Sequence, residues 1–308
     1  MPPAQPPLRA QPAPPVNAPC PSCRTLLRVR DYDLAGTLRS GQAFRWSERH
    51  GSFTGVVQGK WLRLTATPDA IAAETARPEE DWDWVEHYLQ SRVDLAAILA
   101  TFPPDEPMQA SIRACPGLRL LRQDPWECLA SFILSSTKQI VQIQQIVGLL
   151  CTRFGSPVPV PDGEPPAFAF PSAAQLAAVD EQALRECKMG FRAPNLRAAA
   201  RRVAGGDLDL ASLHTLPCAE ARERLVSLPG VGPKIANCVL LFAGGFQEAF
   251  PVDVWVMKAL RQLYFPRRQP SPARLQRFVE THFGPNAGYA QQYLFHYMRI
   301  RRSSGGTQ

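Results

Sequence analysis

The sequence predicts an α+β protein: an antiparallel β-rich front over about residues 25–118, then a mainly helical body over 119–302. Three observations lead there. Between Leu26 and Thr67, apolar and polar positions alternate in short runs separated by glycine-containing connectors, as in hairpins. From residue 79 the apolar spacing lengthens to that of amphipathic helices. The Pro- and Gly-rich stretch 155–171 reads as loop, with helical patterns on both sides of it.

Taken in order, residues 40–46 lead to a turn at His50-Gly51, and the runs 53–57 and 61–64 follow as strands. Residues 79–100 begin acidic and carry helical spacing. Asp124-Pro125 opens a helix well, because Pro is preset for a first turn. Ser135-Ser136-Thr137 breaks the pattern and offers a capping hydroxyl to the next helix, which runs to Phe154. Further helices are expected over 172–187, 193–204 and 218–227. Leu228 to Lys234 forms a hairpin opening a helix through about Ala243. Another helix starts near Asp253, and a last one covers about Ala287–Arg301. No repeat of solenoid length is present.

A chain of 308 residues, 45% of them hydrophobic, can bury a sizeable core. Its net charge of +7 and pI near 9.1 suit an anionic partner, of which nucleic acid is the commonest. No apolar run approaches the roughly 20 residues that cross a bilayer, and residues 1–19 lack a secretory signal. Residues 1–24 read as a disordered Pro-rich tail and 303–308 as a second tail. The eight cysteines are scattered through a chain too large to need staples, so reduced intracellular thiols are expected. Cys20 and Cys23 have metal-ligand or redox spacing, yet no second CxxC or Cys/His pair completes a zinc site.

Gly230 and Gly232 flank Val231 between an apolar helix end and a new helix, which permits a tight turn. Backbone N–H groups at such a helix start suit a phosphate, although a bare Gly-x-Gly also serves as an ordinary connector. Pro233 and Lys234 follow directly, and Asp253 stands 19 positions after the lysine. A lysine amine attacks carbon only when deprotonated, a form that burial favours.

With these residues the chain resembles the helix-hairpin-helix DNA-repair glycosylase superfamily. The resemblance narrows to 8-oxoguanine DNA glycosylases of the eukaryote-like type through three segments: residues 40–46, 121–128 and 287–291. It implies a helix-hairpin-helix glycosylase body and a bifunctional base-excision repair enzyme that flips out and excises 8-oxoguanine. Lys234 would attack C1′ to give a Schiff base, whose acidified C2′ proton permits strand cleavage by β-elimination. Asp253 would stabilise charge developing on the sugar, and the same residue type also caps helices. The carbonyl of Gly41 would meet the N7 hydrogen that 8-oxoguanine has and guanine lacks; the alternative is a plain hairpin glycine.

Lys234 and Cys238 are four apart, as are Gln291 and Phe295, so each pair shares a helix face. By resemblance, Cys238 and Phe295 sandwich the extruded base and Gln291 reads its Watson–Crick edge. Arg192 stands where the family reads the orphaned cytosine, and it could equally be a surface arginine or a phosphate contact. The hairpin would grip DNA backbone, with a monovalent ion or Ca²⁺ held by the carbonyls of Val226, Leu228 and Val231. Basic residues at Arg197, Arg201, Arg202, Lys258 and Arg261 suit phosphates or a solvated face alike.

Departures from the family pattern concern the opposite strand. Thr137 replaces an asparagine that fills the vacated space in the duplex, and Gln142 replaces a second cytosine-reading arginine. Trp255 stands for a histidine and Met298 for an aspartate near the pocket. A relaxed choice of opposite base is therefore expected. No cysteine lies beyond Cys238, which argues against the iron–sulfur cluster of the endonuclease III branch, and no cofactor is expected. The competing readings are an alkylpurine glycosylase of the same superfamily, which typically lacks the hairpin lysine, and a non-catalytic DNA-binding module. The expected partner is double-stranded DNA containing 8-oxoguanine, bound by a monomer with no membrane association. Expected localisation is intracellular with the DNA, in a nucleus or a bacterial nucleoid.

Overall fold

The computed structural model describes residues 22–267 and 270–304. Five antiparallel strands form the front: β1 (Ser22–Arg28), β2 (Ser47–Arg49), β3 (Ser52–Val57), β4 (Lys60–Ala66) and β5 (Ala70–Glu79), in the order β1-β5-β4-β3-β2. Two-residue turns join β2 to β3 and β3 to β4, with Phe53 opposite Leu64 and Gly55 opposite Leu62. The inward face of the sheet packs a small core around Leu62, Leu64, Ile71 and Leu89.

Helix α1 (Leu34–Arg39) interrupts the stretch read as β. Asp33 caps it, its side chain accepting from Gly36 N–H at 2.8 Å, so a local capping signal prevails over the alternating pattern. Residues 40–46 form a connector and not a strand. The helical stretch expected over 79–100 begins later, as α2 (Asp83–Leu89) and α3 (Leu95–Leu99), because β5 occupies the chain up to Glu79. β5 is alanine-rich and has weak strand propensity, and pairing with β1 on one side and β4 on the other makes it a strand.

The body consists of α4 (Glu106–Ala114), α5 (Pro125–Leu134), α6 (Ile140–Phe154), α7 (Ala173–Ala178), α8 (Glu181–Leu184), α9 (Ala193–Ala204), α10 (Cys218–Val226), α11 (Pro233–Val239), α12 (Val254–Leu263), α13 (Pro272–His282) and α14 (Ala287–Ser304). The α+β expectation agrees with this order of sheet and helices. The helix expected over 172–187 is broken between α7 and α8 and ends in a π-type turn. The 155–171 loop carries a two-residue pairing of β6 (Pro157–Val158) with β7 (Ala167–Phe168).

Seven consecutive residues of α5, Cys128 to Leu134, are buried, so this helix runs through the centre of the main core. Each fully buried Leu or Ile there contributes about 1.5–3 kcal/mol. Of the segments read as tails, residues 22–24 belong to β1 and 303–304 to α14. The remainder, with Cys20, lies outside the described residues. None of the helices among the described residues is long and apolar enough to cross a membrane.

Candidate active site

The connector after α1 is held by Gln42, whose side chain is fully buried. Its Nε2 donates to the carbonyls of Thr37 and Arg119 at 3.1 and 2.8 Å, and its Oε1 accepts from Leu121 N–H at 2.7 Å. Gln123 Nε2 donates to the Gln42 carbonyl at 2.6 Å, and Gln292 Nε2 to that of Ser40 at 3.1 Å. Gly41 is thereby pinned between the sheet domain and α14. Its φ of +79° suits glycine, and a Cβ there would lie 2.7 Å from Ile140 Cδ1 and 3.5 Å from Phe295 Cε1.

That corner opens into a cleft of about 1680 Å³, lined mostly by the helical body with Gly41 and Phe44 at its edge. Gly41, Lys234, Cys238, Asp253, Gln291 and Phe295 all line it. Six positions selected from the sequence, spread over more than 250 residues of chain, therefore meet at one concavity.

Lys234 is the second residue of α11, after Pro233. Its Nζ donates to Ser135 Oγ at 2.9 Å and sits over the Phe132 ring, 5.1 Å from the centroid. The hydrogen bond of Lys234 Nζ goes to Ser135, and Lys234 bears on Asp253 through its charge. Asp253 caps α12: its Oδ1 accepts from the N–H groups of Trp255 and Val256 at 2.9 and 2.8 Å, which leaves Oδ2 outside the cap. Burial raises the Asp253 pKa, opposed by the Val256 N–H bond and the Lys234 charge.

Cys238, one turn along α11 from Lys234, is buried, and its thiol is pushed up to about 11, so it forms a neutral wall. Gln291 is 3% exposed and its Oε1 has no partner. An unpaired buried acceptor costs about 1–3 kcal/mol unless a ligand donor reaches it. Met298 is buried, and Trp255 lines the cleft beneath Lys258.

The hairpin places its two glycines in different roles. Gly230 adopts φ +76° and packs so closely on α9 that a Cβ would lie 2.3 Å from Asn195 Nδ2. Gly232 is extended, and a Cβ there would meet open space. Val231 N–H closes the turn onto the Leu228 carbonyl at 3.1 Å. Val226 is partly exposed at the end of α10, whereas the side chains of Leu228 and Val231 are buried.

The residues expected to face the opposite strand make internal contacts. Arg192 is only 3% exposed, and its guanidinium donates to the Ser136 carbonyl and to Thr137 Oγ1. Thr137, at φ +56°, lines the cleft. Gln142 is exposed and accepts the Gln139 N–H at 3.0 Å, as part of the α6 cap. Among the described residues no three His, Cys, Asp or Glu side chains cluster to hold a metal. Gln42 lies within residues 40–46 and Ser135 in the break before α6, but polarity alone carries no signal of what they touch, and neither Phe132 nor Arg299 stands out from the sequence. Arg299, which also lines the cleft, lies 5.4 Å from the Phe295 ring centroid.

Comparison with known proteins agrees with this architecture. Residues 25–129 match the model of the 8-oxoguanine DNA glycosylase N-terminal domain, and residues 130–285 that of HhH-GPD superfamily base excision DNA repair proteins. A probable N-glycosylase/DNA lyase of Methanothermobacter thermautotrophicus is 30% identical over 88% of this chain and 95% of its own length. The Arabidopsis thaliana N-glycosylase/DNA lyase OGG1 is 30% identical over 86% of this chain and 77% of its own length. Among solved structures, MBOgg1 in complex with a low-affinity DNA ligand superposes with a TM-score of 0.87 at 33% identity, covering 93% of this chain and 99% of that one. The Clostridium acetobutylicum 8-oxoguanine glycosylase/lyase, bound to double-stranded DNA with cytosine opposite 8-oxoguanine, gives 0.83 at 30% identity over 90% and 98% of the two chains.

Proposed function

Because this chain belongs to the HhH-GPD superfamily of base excision DNA repair proteins, with an 8-oxoguanine glycosylase N-terminal domain, we propose that it excises 8-oxoguanine from duplex DNA as a monomer and then cleaves the strand. Its enzyme class is that of its relatives, N-glycosylase/DNA lyase, and its partner is DNA. The observation that carries the finer reading is the shared cleft of Lys234, Asp253, Gly41, Cys238, Gln291 and Phe295.

In this reading the neutral Lys234 amine attacks C1′ of the flipped nucleotide. A C1′–N bond forms as the glycosidic bond breaks, and the base leaves with the electron pair and takes a proton from solvent. The nitrogen sheds one of its two protons, the C1′–O4′ bond then breaks with that oxygen taking a proton, and the protonated imine results. Removal of the C2′ proton then expels the 3′ phosphate by β-elimination. Asp253, held by two backbone N–H bonds, faces the positive charge that develops on the sugar. Gln291 Oε1 accepts from the base edge, which removes its unpaired state, and the Gly41 carbonyl takes the N7 hydrogen. Cys238 and Phe295 supply the stacking walls.

The hairpin with Gly230 and Gly232 grips the DNA backbone, and open space at Gly232 favours close approach of a phosphate. The carbonyls of Val226, Leu228 and Val231 are the atoms that would hold a hard cation there. The Leu228 carbonyl accepts the Val231 N–H and keeps a second lone pair, and carbonyl oxygens are the donor type that a hard cation takes, so the ion would support the grip and not the chemistry. No other cofactor enters. With Thr137 and Gln142 in place of the usual opposite-strand readers, and Arg192 turned inward, choice of the opposite base is relaxed.

Borohydride trapping on an 8-oxoguanine duplex tests this. A covalent adduct formed by the intact protein and absent from Lys234→Gln is expected. No adduct and no base release from the intact protein would overturn the reading. Cleavage opposite cytosine far faster than opposite each other base would overturn the relaxed specificity alone.

A further inference from the structure

The Lys234 amine is held by a residue with no part in the scheme above. Ser135 is the C-cap of α5, and its hydroxyl donates to the Phe132 carbonyl at 2.7 Å. Closing back on a carbonyl three residues earlier is common for a serine at a helix end and explains that bond. It does not explain the second contact, in which Lys234 Nζ, 99 residues further along the chain, donates to the same oxygen at 2.9 Å.

We propose that Ser135 is a positioning residue for the nucleophile: its hydroxyl, committed as a donor to the Phe132 carbonyl, accepts an N–H of Lys234 and turns the amine lone pair into the cleft. The inference rests on Lys234 being the nucleophile.

A hydroxyl carries one proton. A serine free to rotate would donate that proton to the lone pair of a neutral amine and so quench its nucleophilicity. The Phe132 carbonyl takes the proton of Ser135, so only acceptor lone pairs face the lysine. The amine meets them with an N–H in either protonation state, and on deprotonation its own lone pair lies away from the wall. Phe132 closes a second side with its ring, itself stacked on Phe242 at 5.6 Å, which leaves the cleft as the open direction. The backbone that carries Ser135 is tied down by Arg192, which donates to the next residue's carbonyl and to Thr137 Oγ1 at 2.6 Å. A fixed acceptor on a fixed loop is what orientation of a flexible lysine requires.

The test compares Ser135→Thr with Ser135→Val, which fill the same volume and differ only in the hydroxyl. Any packing loss is common to both, and the ratio of their rates is read. On an 8-oxoguanine duplex, single-turnover base release by the Val variant is expected to be about tenfold or more slower than by the Thr variant. Duplex affinity should be equal, and borohydride adduct should form in proportion to base release. Equal base-release rates for the pair would overturn the proposal while leaving Lys234 as nucleophile intact. Adduct formation by Lys234→Gln in the same assay would overturn the nucleophile reading and this proposal with it.

Discussion

Arg192 and Thr137 are joined by a hydrogen bond of 2.6 Å between guanidinium and hydroxyl, across 55 residues of sequence. The same guanidinium reaches the Ser136 carbonyl, so one buried arginine holds the loop between α5 and α6. Without the arginine, that carbonyl and hydroxyl lose a charge-assisted partner. Arg192→Ala is expected to lower unfolding free energy by about 1–3 kcal/mol. Urea denaturation reads this directly, and an unchanged midpoint would show that the contact contributes nothing.

Thr137 pays for its place in that loop with a φ of +56°. A β-branched residue is strained there, at a cost of about 1–3 kcal/mol, whereas asparagine adopts the left-handed region readily. Thr137→Asn also keeps a side-chain oxygen for Arg192. The variant is expected to be more stable than the parent by about 0.5–1 kcal/mol, a part of that strain. Thermal melts of the two proteins side by side provide the check.

Gly41 combines a positive φ with a close approach to Ile140 and Phe295. A methyl group at this position is strained at that φ and must displace the Ile140 side chain or shift the 40–42 connector, at the edge of the space that Phe295 bounds. Gly41→Ala is therefore expected to slow excision of 8-oxoguanine while sparing strand cleavage at a preformed abasic site, where no base needs to fit. Parallel single-turnover assays on the two substrates measure the separation. Equal losses on both would place the damage at Lys234 and not at the base pocket.

Asp253 is a carboxyl whose folded-state pKa is raised, first by burial. Such a group holds its proton more tightly in the folded than in the unfolded chain. Its effect on stability is therefore favourable at low pH and declines as pH rises from the ordinary aspartate range, near about 4, to the raised value. Asparagine caps helices as well as aspartate does, so Asp253→Asn keeps the two bonds to Trp255 and Val256. The variant should gain stability relative to the parent as pH is raised through that window, and base release should fall about 10²–10³-fold. Urea melts between acid and neutral pH check the first part. A variant that loses ground on raising the pH would show that the carboxylate is stabilised in place.

Much of this protein was legible in its sequence because local chemistry decided it. The hairpin at 228–234, the Asp253 cap and the pairing of Lys234 with Cys238 on one helix face all follow from residues within a turn or two of each other. The alternation in β3 and β4 likewise comes from facing residues on neighbouring strands, Phe53 with Leu64 among them. Resemblance to a known family then named the residues of the pocket.

Tertiary structure alone decided what those residues touch. β5 became a strand by lying between two others, against its own propensity. Arg192, which the family resemblance offers as a reader of the opposite base, is turned inward onto Ser136 and Thr137. Lys234 rests on Ser135 and the Phe132 ring, and bears on Asp253 through its charge. The reason is common to all three. A pattern of apolar and polar positions specifies which face of an element is buried, whereas the partner of a polar group is fixed only when distant segments come within about 3 Å of each other. For Lys234 that partner lies 99 residues back along the chain, at the end of a helix whose last seven residues are all buried.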